Sequence, residues 1–382
     1  MMINDIKQAF LNHFKLEPSI LTSAPGRVNL IGEHTDYNEG LVLPCAIDYK
    51  TLVAIRPRND SLVKVIALDW QSDTDEFDLS KPIEFQAKKM WSNYVRGVAN
   101  EWMKAGFELS GCDIAITGNV PQGAGLSSSA ALEVACVKGF SALQKVTLSS
   151  LEIAKIAQSA ENNFVGCACG IMDQLISTAG VKNKAVLIDC QDFKLTPTEI
   201  PDSLEILIVN SNVQRGLVDS EYNLRREQCE VVSHHLSVPS LRSLTLRQLD
   251  AINGEVDKVA IKRARHVIEE NLRVSAMHDA LTANNIPKIS QLMAESHQSM
   301  RNLFEITVPE IDLLVQLVAD VVGSKGGVRM TGGGFGGCIV ALVPENLIEA
   351  IRLSIGNNYE QKTGLTATIY QTKAAEGAAL LN

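Results

Sequence analysis

The stretch Asn119-Val120-Pro121-Gln122-Gly123-Ala124-Gly125-Leu126-Ser127-Ser128-Ser129-Ala130 constrains the fold more than any other segment of this chain. Upstream of it, Cys112, Ile114 and Ile116 alternate with Asp113, Ala115 and Thr117, which predicts a half-buried strand. Downstream, Leu132, Val134, Ala135, Val137 and Phe140 recur at helical spacing and predict a helix over Ala130 to Leu143. A strand must therefore turn through two glycines into a helix that opens on three serines. Gly123 and Gly125 allow close backbone approach and positive φ. The first N–H groups of the helix have no intrahelical partner and carry partial positive charge. Together these features make a cradle for a polyphosphate. The plainer alternative, a turn with a serine N-cap, needs one serine and no pair of glycines. No Gly-Lys-Ser/Thr follows, so this is not a Walker A loop.

The rest of the chain mixes strands and helices without strict alternation. Thr51 to Arg58 and Leu62 to Asp69 read as a strand pair joined by a hairpin turn at Asn59-Asp60-Ser61. Leu204 to Val209, Cys338 to Val343 and Thr366 to Thr372 are short apolar runs suited to buried strands. Ile153, Ile156, Ala157, Ala160 and Phe164 predict a helix over Ser150 to Phe164. Thr307-Val308-Pro309-Glu310 reads as a capping box that opens a helix through Val322, stopped by Gly323. Ile6, Phe10 and Phe14 mark an amphipathic surface helix rather than a signal peptide. Such a mixture predicts an α+β fold. Thr196-Pro197 and Pro201-Asp202 break regular structure, which suggests one unit over 1–200 and a second over 201–382.

Several function classes are disfavoured. Among 382 residues, 44 acidic side chains against 35 basic ones leave a net charge of -9, which repels nucleic acid. No apolar run approaches the roughly 20 residues of a membrane helix. Of the 8 cysteines only Cys167 and Cys169 are close, and C-x-C lacks the paired C-x-x-C of a zinc site. All read as reduced thiols, mostly in the core of a cytoplasmic protein.

Three further segments carry chemistry. Pro25-Gly26-Arg27-Val28-Asn29-Leu30-Ile31-Gly32-Glu33-His34-Thr35-Asp36-Tyr37-Asn38 is dense in groups that hydrogen-bond hydroxyls, although a solvated loop is the plainer reading. Gly326 to Cys338 formally contains G-x-G-x-x-G at Gly332 to Gly337. A strand rather than a helix follows it, which excludes a dinucleotide fold and leaves close backbone approach to a ligand, or a flexible loop. Glu161 falls on the apolar face set by Ile153 and Ala157, so it needs a partner, either Mg²⁺ or a buried salt bridge. Asp173 opens a helix whose apolar face is Met172, Leu175, Ile176 and Ala179, and its plain role is to offset the helix dipole.

In this order the segments resemble the GHMP small-molecule kinases. Pro121 to Ala131 is similar to the family's phosphate-binding motif and Gly326 to Cys338 to its C-terminal glycine motif. Pro25 to Tyr37 resembles the signature of the galactokinase branch, and Ser220 to Glu227 continues the likeness. The resemblance implies a two-lobed α+β fold, a ribosomal-S5-like N-terminal lobe and a ferredoxin-like C-terminal lobe, with the last strand free to return to the first. It implies transfer of phosphate from ATP, with Mg²⁺, to the C1 hydroxyl of α-D-galactose. Arg27 and Asp173 would then be catalytic. Glu33, His34, Thr35, Asp36 and Tyr222 would hold the sugar. Gly123, Ala124, Gly125, Leu126, Ser127, Ser128 and Ser129 would wrap the phosphates, and Ser129 and Glu161 would ligate the metal. Alternatives are an N-acetylgalactosamine kinase of the same family and a non-catalytic sugar sensor. Such sensors lack the Ser-Ala pair of the phosphate motif, which is intact here at Ser127 to Ala131.

Overall fold

The opening helix, Met2–Phe14, buries Ile6 and Phe10 completely, each worth about 1.5–3 kcal/mol of apolar burial. The computed structural model describes residues 2–214 and 218–381. In it this helix packs on one face of a six-stranded sheet with strand order Ala379–Leu381, Ile20–Asn29, Pro44–Pro57, Cys112–Gly118, Leu62–Ala67, Asp73–Asp78. Helices Met90–Lys104, Ser128–Gln144 and Ser150–Ser159 cover the other face.

Two sequence expectations change here. Cys112–Gly118 is not half-buried: Ile114 and Ile116 face the three helices, while Ala115 faces the opening helix. Asp113 tolerates its 3% exposure because Arg58 Nη1 donates to it at 2.8 Å. Nor do Pro44–Pro57 and Leu62–Ala67 form a hairpin. Cys112–Gly118 lies between them, antiparallel to the first and parallel to the second. The turn at Asn59-Asp60-Ser61 is held open by Gly111, whose N–H donates to Asp60 O and whose carbonyl accepts from Arg58 N. Inserting an apolar strand buries more surface than closing a local two-stranded ribbon.

A second sheet, all antiparallel, has the order Gly327–Thr331, Cys338–Val343, Glu205–Asn210, Thr368–Thr372. Cys338–Val343 is buried throughout because both sheet faces are covered. Ile339, Ala341 and Val343 pack under Pro309–Val322 and Ile348–Thr363. Cys338, Val340 and Leu342 pack against Val28, Leu30, Val120 and Leu126 of the first half of the chain. That contact brings the two motif-bearing loops together.

A small third sheet joins Leu41–Val42, Lys184–Asp189 and Lys194–Glu199. Pro197 does not end regular structure; it sits in the edge strand, opposite Val186, where the lost N–H costs no ladder bond. The final strand returns to the first sheet, with Leu381 opposite Leu21. The expected capping box at Thr307 is also absent. Val308 is the N-cap, no side chain caps it, and Pro309 fills the first turn. The helix expected over Ser150 to Phe164 is α only to Ser159 and continues as a π turn over Ala160–Val165. No helix among the described residues is long and apolar enough to cross a membrane. The architecture is the mixed, two-lobed one expected from the family resemblance.

Candidate active site

The glycine–serine loop behaves as its composition requires. Gly123 and Gly125 take φ of 69° and 77°. Ser127, at the N-cap of Ser128–Gln144, is also left-handed, at φ 57° and ψ 49°, a conformation that costs a non-glycine residue about 1–3 kcal/mol. Its hydroxyl does not cap the helix but donates to Asp173 Oδ2. The leading N–H groups of the helix thus lack a side-chain cap and face a cavity, as an anion site requires.

Asp173 stands at the start of Met172–Ala179. Arg27, on Ile20–Asn29, grips it with two bonds, Nε to Oδ1 and Nη2 to Oδ2, both 2.8 Å. Arg27 Nη1 donates to Gly125 O at 2.7 Å, and Arg27 N–H to Leu126 O at 3.1 Å. One guanidinium therefore ties the acid to the glycine–serine loop. The pair is 7% and 26% exposed, so the acid keeps access to the cavity while the base is enclosed.

The polar loop after Arg27 forms the far wall. His34 is buried, takes φ 60°, and lies between the rings of Tyr222 and Phe304 at 4.8 and 4.7 Å. Its Nδ1 meets Tyr37 Oη at 2.8 Å. Burial, with His266 nearby, lowers its pKa to about 3, so the ring is neutral. Burial, with the charge of Asp173, raises Asp36 to about 6. Glu33 is 2% exposed; its Oε1 accepts from Gly332 N–H at 3.0 Å and lies 3.2 Å from Thr331 Oγ1, a hydroxyl also 2.9 Å from Asn29 O.

Glu161 lies on the π turn, a feature often found at functional sites. Burial raises it to about 7 despite hydrogen bonds from Ser129, Cys169 and Gln174. Among the described residues no cation pairs with it, contrary to the salt-bridge alternative. Glu133 is raised as well, by burial and by Glu161. An acid pair beside a phosphate cradle fits a hard divalent cation that takes its remaining ligands from phosphate and water.

These groups surround one cavity of about 420 Å³. Arg27, Glu33, His34, Asp36, Gly123, Gly125, Leu126, Ser127, Ser128, Ser129, Glu161, Asp173 and Tyr222 all line it. Thr35 and Ala124 do not. Thr35 Oγ1 is within bonding distance of Gly32 O (2.9 Å) and Leu41 O (2.7 Å), closing its own loop. Ala124 is fully buried, with its carbonyl facing Cys338 Sγ. Cys167 and Cys169 line the cavity, and the other six cysteines are buried, in keeping with thiols mostly in the core.

A second cavity of about 520 Å³ shares Met90, Tyr94, Gly123, Ser128 and Ser129 with the first and is walled also by Trp70, Trp91, Ile116 and Leu132. Sequence reasoning missed it. Trp70, half exposed on a turn, was its one visible signal.

Comparison with known proteins follows the same lines. Residues 8–57 match a galactokinase galactose-binding signature, 93–181 the GHMP kinase N-terminal domain, and 277–361 the GHMP kinase C-terminal domain. Lactococcus lactis galactokinase, solved with galactose, is 33% identical over 100% of both chains, with a TM-score of 0.95. Methanococcus jannaschii mevalonate kinase is 18% identical over 93% of this chain and 98% of its own, at TM-score 0.64. Streptococcus pneumoniae phosphomevalonate kinase is 13% identical over 93% and 99%, at 0.65. The last two likenesses speak to the fold alone.

Proposed function

The chain belongs to the galactokinase family of GHMP kinases, and on that premise we propose that it transfers the γ-phosphoryl group of ATP to the C1 hydroxyl of α-D-galactose, giving galactose 1-phosphate and ADP. The observation that carries the reading is the Arg27–Asp173 pair, set between the phosphate loop and the wall of Asp36, His34 and Tyr222.

Phosphoryl transfer needs in-line placement and charge neutralisation more than covalent help. Asp36, Glu33 and Tyr222 supply acceptors and a ring against which a pyranose can lie. His34, neutral, adds no charge. Asp173 then receives or orients the C1 hydroxyl proton as the oxygen attacks the γ-phosphorus and the bond to the β–γ bridging oxygen breaks. Arg27, anchored on Gly125 O, offsets charge on the transferred group. The backbone from Gly123 to Ser129 holds the phosphates, and the Trp70, Trp91 and Tyr94 cavity takes the base. Ser129 and Glu161 are the residues that would hold Mg²⁺, which when bound neutralises the leaving diphosphate. A division near residue 200 and a cytoplasmic location, suited to eight cysteines that form no disulfide, belong to the same proposal.

Purified protein should release ADP only when galactose is present, with galactose 1-phosphate identified by phosphorus NMR. Glucose differs from galactose only at C4, so equal turnover on glucose would refute the sugar assignment. For the metal, Glu161→Gln keeps the volume and removes the charge. The variant should fold, while the Mg²⁺ concentration needed for tight nucleotide binding in calorimetry rises about tenfold or more. Unchanged metal dependence together with a lower melting temperature would make Glu161 structural.

A further inference from the structure

Arg329 lies on Gly327–Thr331 and is fully buried, yet it takes no part in the cavity wall. Its Nη2 is ion-paired with Glu33 Oε2 and stands 3.7 Å from Glu270 Oε1. Its Nη1 donates to Leu30 O at 3.1 Å. Glu270, on Lys258–Thr282, also accepts from Gly32 N–H at 3.0 Å and Ser296 Oγ at 2.6 Å, and pairs with Arg273 at 2.6 Å. His266 of the same helix meets Glu33 O at 3.1 Å. Burial and its neighbours hold His266 down at about 4, so it brings no charge.

This arrangement is a buried, charge-balanced chain of two carboxylates and two guanidiniums beneath the loop that carries Glu33. The distribution of its bonds is uneven. Oε1 of Glu33 accepts from Gly332 N–H and lies within bonding distance of Thr331 Oγ1, which is also 2.9 Å from Asn29 O, whereas Oε2 meets only Arg329. A carboxylate oxygen has two lone-pair sites, so one on Oε2 is left over; that oxygen is itself enclosed, in a residue that lines the cavity.

We propose that Arg329 is a positioning residue for the sugar: it acts through Glu33, keeping that carboxylate charged and fixed so that it accepts a hydrogen bond from a galactose hydroxyl. Arg329 itself touches no ligand. The inference rests on the reading of the cavity as a galactose site. The groups facing Glu33 are Arg329, Glu270 and His266, with His34 beside it on its own loop. Burial raises the Glu33 pKa and Arg329 opposes that rise, so losing the arginine favours the protonated acid, which cannot accept through the same oxygen.

The test is a double-mutant cycle with Glu33→Gln and Arg329→Met, read as galactose Kd by calorimetry and as separate kcat and KM values for both substrates. Arg329→Met should weaken galactose binding about 10–100-fold, the range of a lost charged hydrogen bond, with ATP affinity within about threefold. Binding should recover as pH rises, because deprotonation restores the acceptor. Arg329→Lys, which keeps the charge but not the planar fork, should fall in between. Glu33→Gln/Arg329→Met should bind galactose no worse than Glu33→Gln alone. The double variant and the lysine variant also guard against the methionine variant failing to fold around an unpaired charge. The proposal is overturned by additive losses in the cycle, by equal falls in kcat and both affinities, or by unchanged galactose affinity in Arg329→Lys and Arg329→Met. If the wild type itself does not bind galactose, the cavity reading fails, which is a separate result.

Discussion

Asp173→Asn is expected to lower turnover about 10²–10⁴-fold while galactose binding weakens by less than about tenfold. The carboxylate accepts three bonds, two from Arg27 and one from Ser127, and a fourth lone-pair site remains for the substrate hydroxyl. Asparagine matches the shape but presents one acceptor and one donor. Whichever way the amide turns, its NH₂ meets an N–H of Arg27, so the two-point grip is lost and the guanidinium charge is no longer balanced. On the proposed reading Asp36, Glu33 and Tyr222 hold the sugar, so it should still bind. Chemistry should suffer, because the hydroxyl proton has no acceptor. If Asp173 only orients the hydroxyl, the loss will be smaller and flat with pH. Measuring ADP release across about pH 6–9 separates the two roles, and turnover within threefold of wild type throughout would remove Asp173 from the mechanism.

What could be read in the sequence was what short-range chemistry determines. The conformation of the glycine–serine loop was legible because two glycines at a strand–helix junction call for positive φ, and both take it. Glu161 was legible because a carboxylate on an apolar helix face calls for an explanation. The features that stayed hidden depend on parts of the chain far apart in sequence. Cys112–Gly118 inserts between two strands that look like a local hairpin, and nothing in either strand announces it. The π turn that carries Glu161 interrupts a helix whose apolar spacing runs on unbroken. Thr35 sits in the middle of the polar loop, yet its hydroxyl is used by the loop's own carbonyls; composition cannot tell a wall residue from one that holds the wall up. Glu33 and Arg329 come from opposite ends of the chain, so their pairing appears only when the two sheets meet.

Gly170 is the sharpest instance of a residue whose role is space. A Cβ placed on it would stand 2.0 Å from Asp36 Oδ2 and 2.3 Å from its Cγ, far inside contact distance. Its φ is not in the left-handed region, so alanine suits the backbone and the conflict is with Asp36 alone. A carboxylate at the end of a short side chain can swing aside, so Gly170→Ala should fold with a melting temperature close to that of wild type. Its consequence falls on recognition. With Asp36 displaced, a sugar hydroxyl loses a charged acceptor, about 1.5–3 kcal/mol, and galactose Kd should rise about 10–100-fold, with ATP affinity within about twofold. Gly170→Ala/Asp36→Ala should bind galactose no worse than Asp36→Ala, because the glycine acts only through that carboxylate. The wild type offers an independent check. Asp36 has its pKa raised to about 6, so galactose affinity should be full above that pH and weaken as pH falls through it, when the acceptor is protonated. Gly170→Ala should flatten this dependence, since the carboxylate it displaces no longer reads the sugar. Galactose affinity and pH profile both unchanged in Gly170→Ala would mean that Asp36 does not contact the sugar from this position.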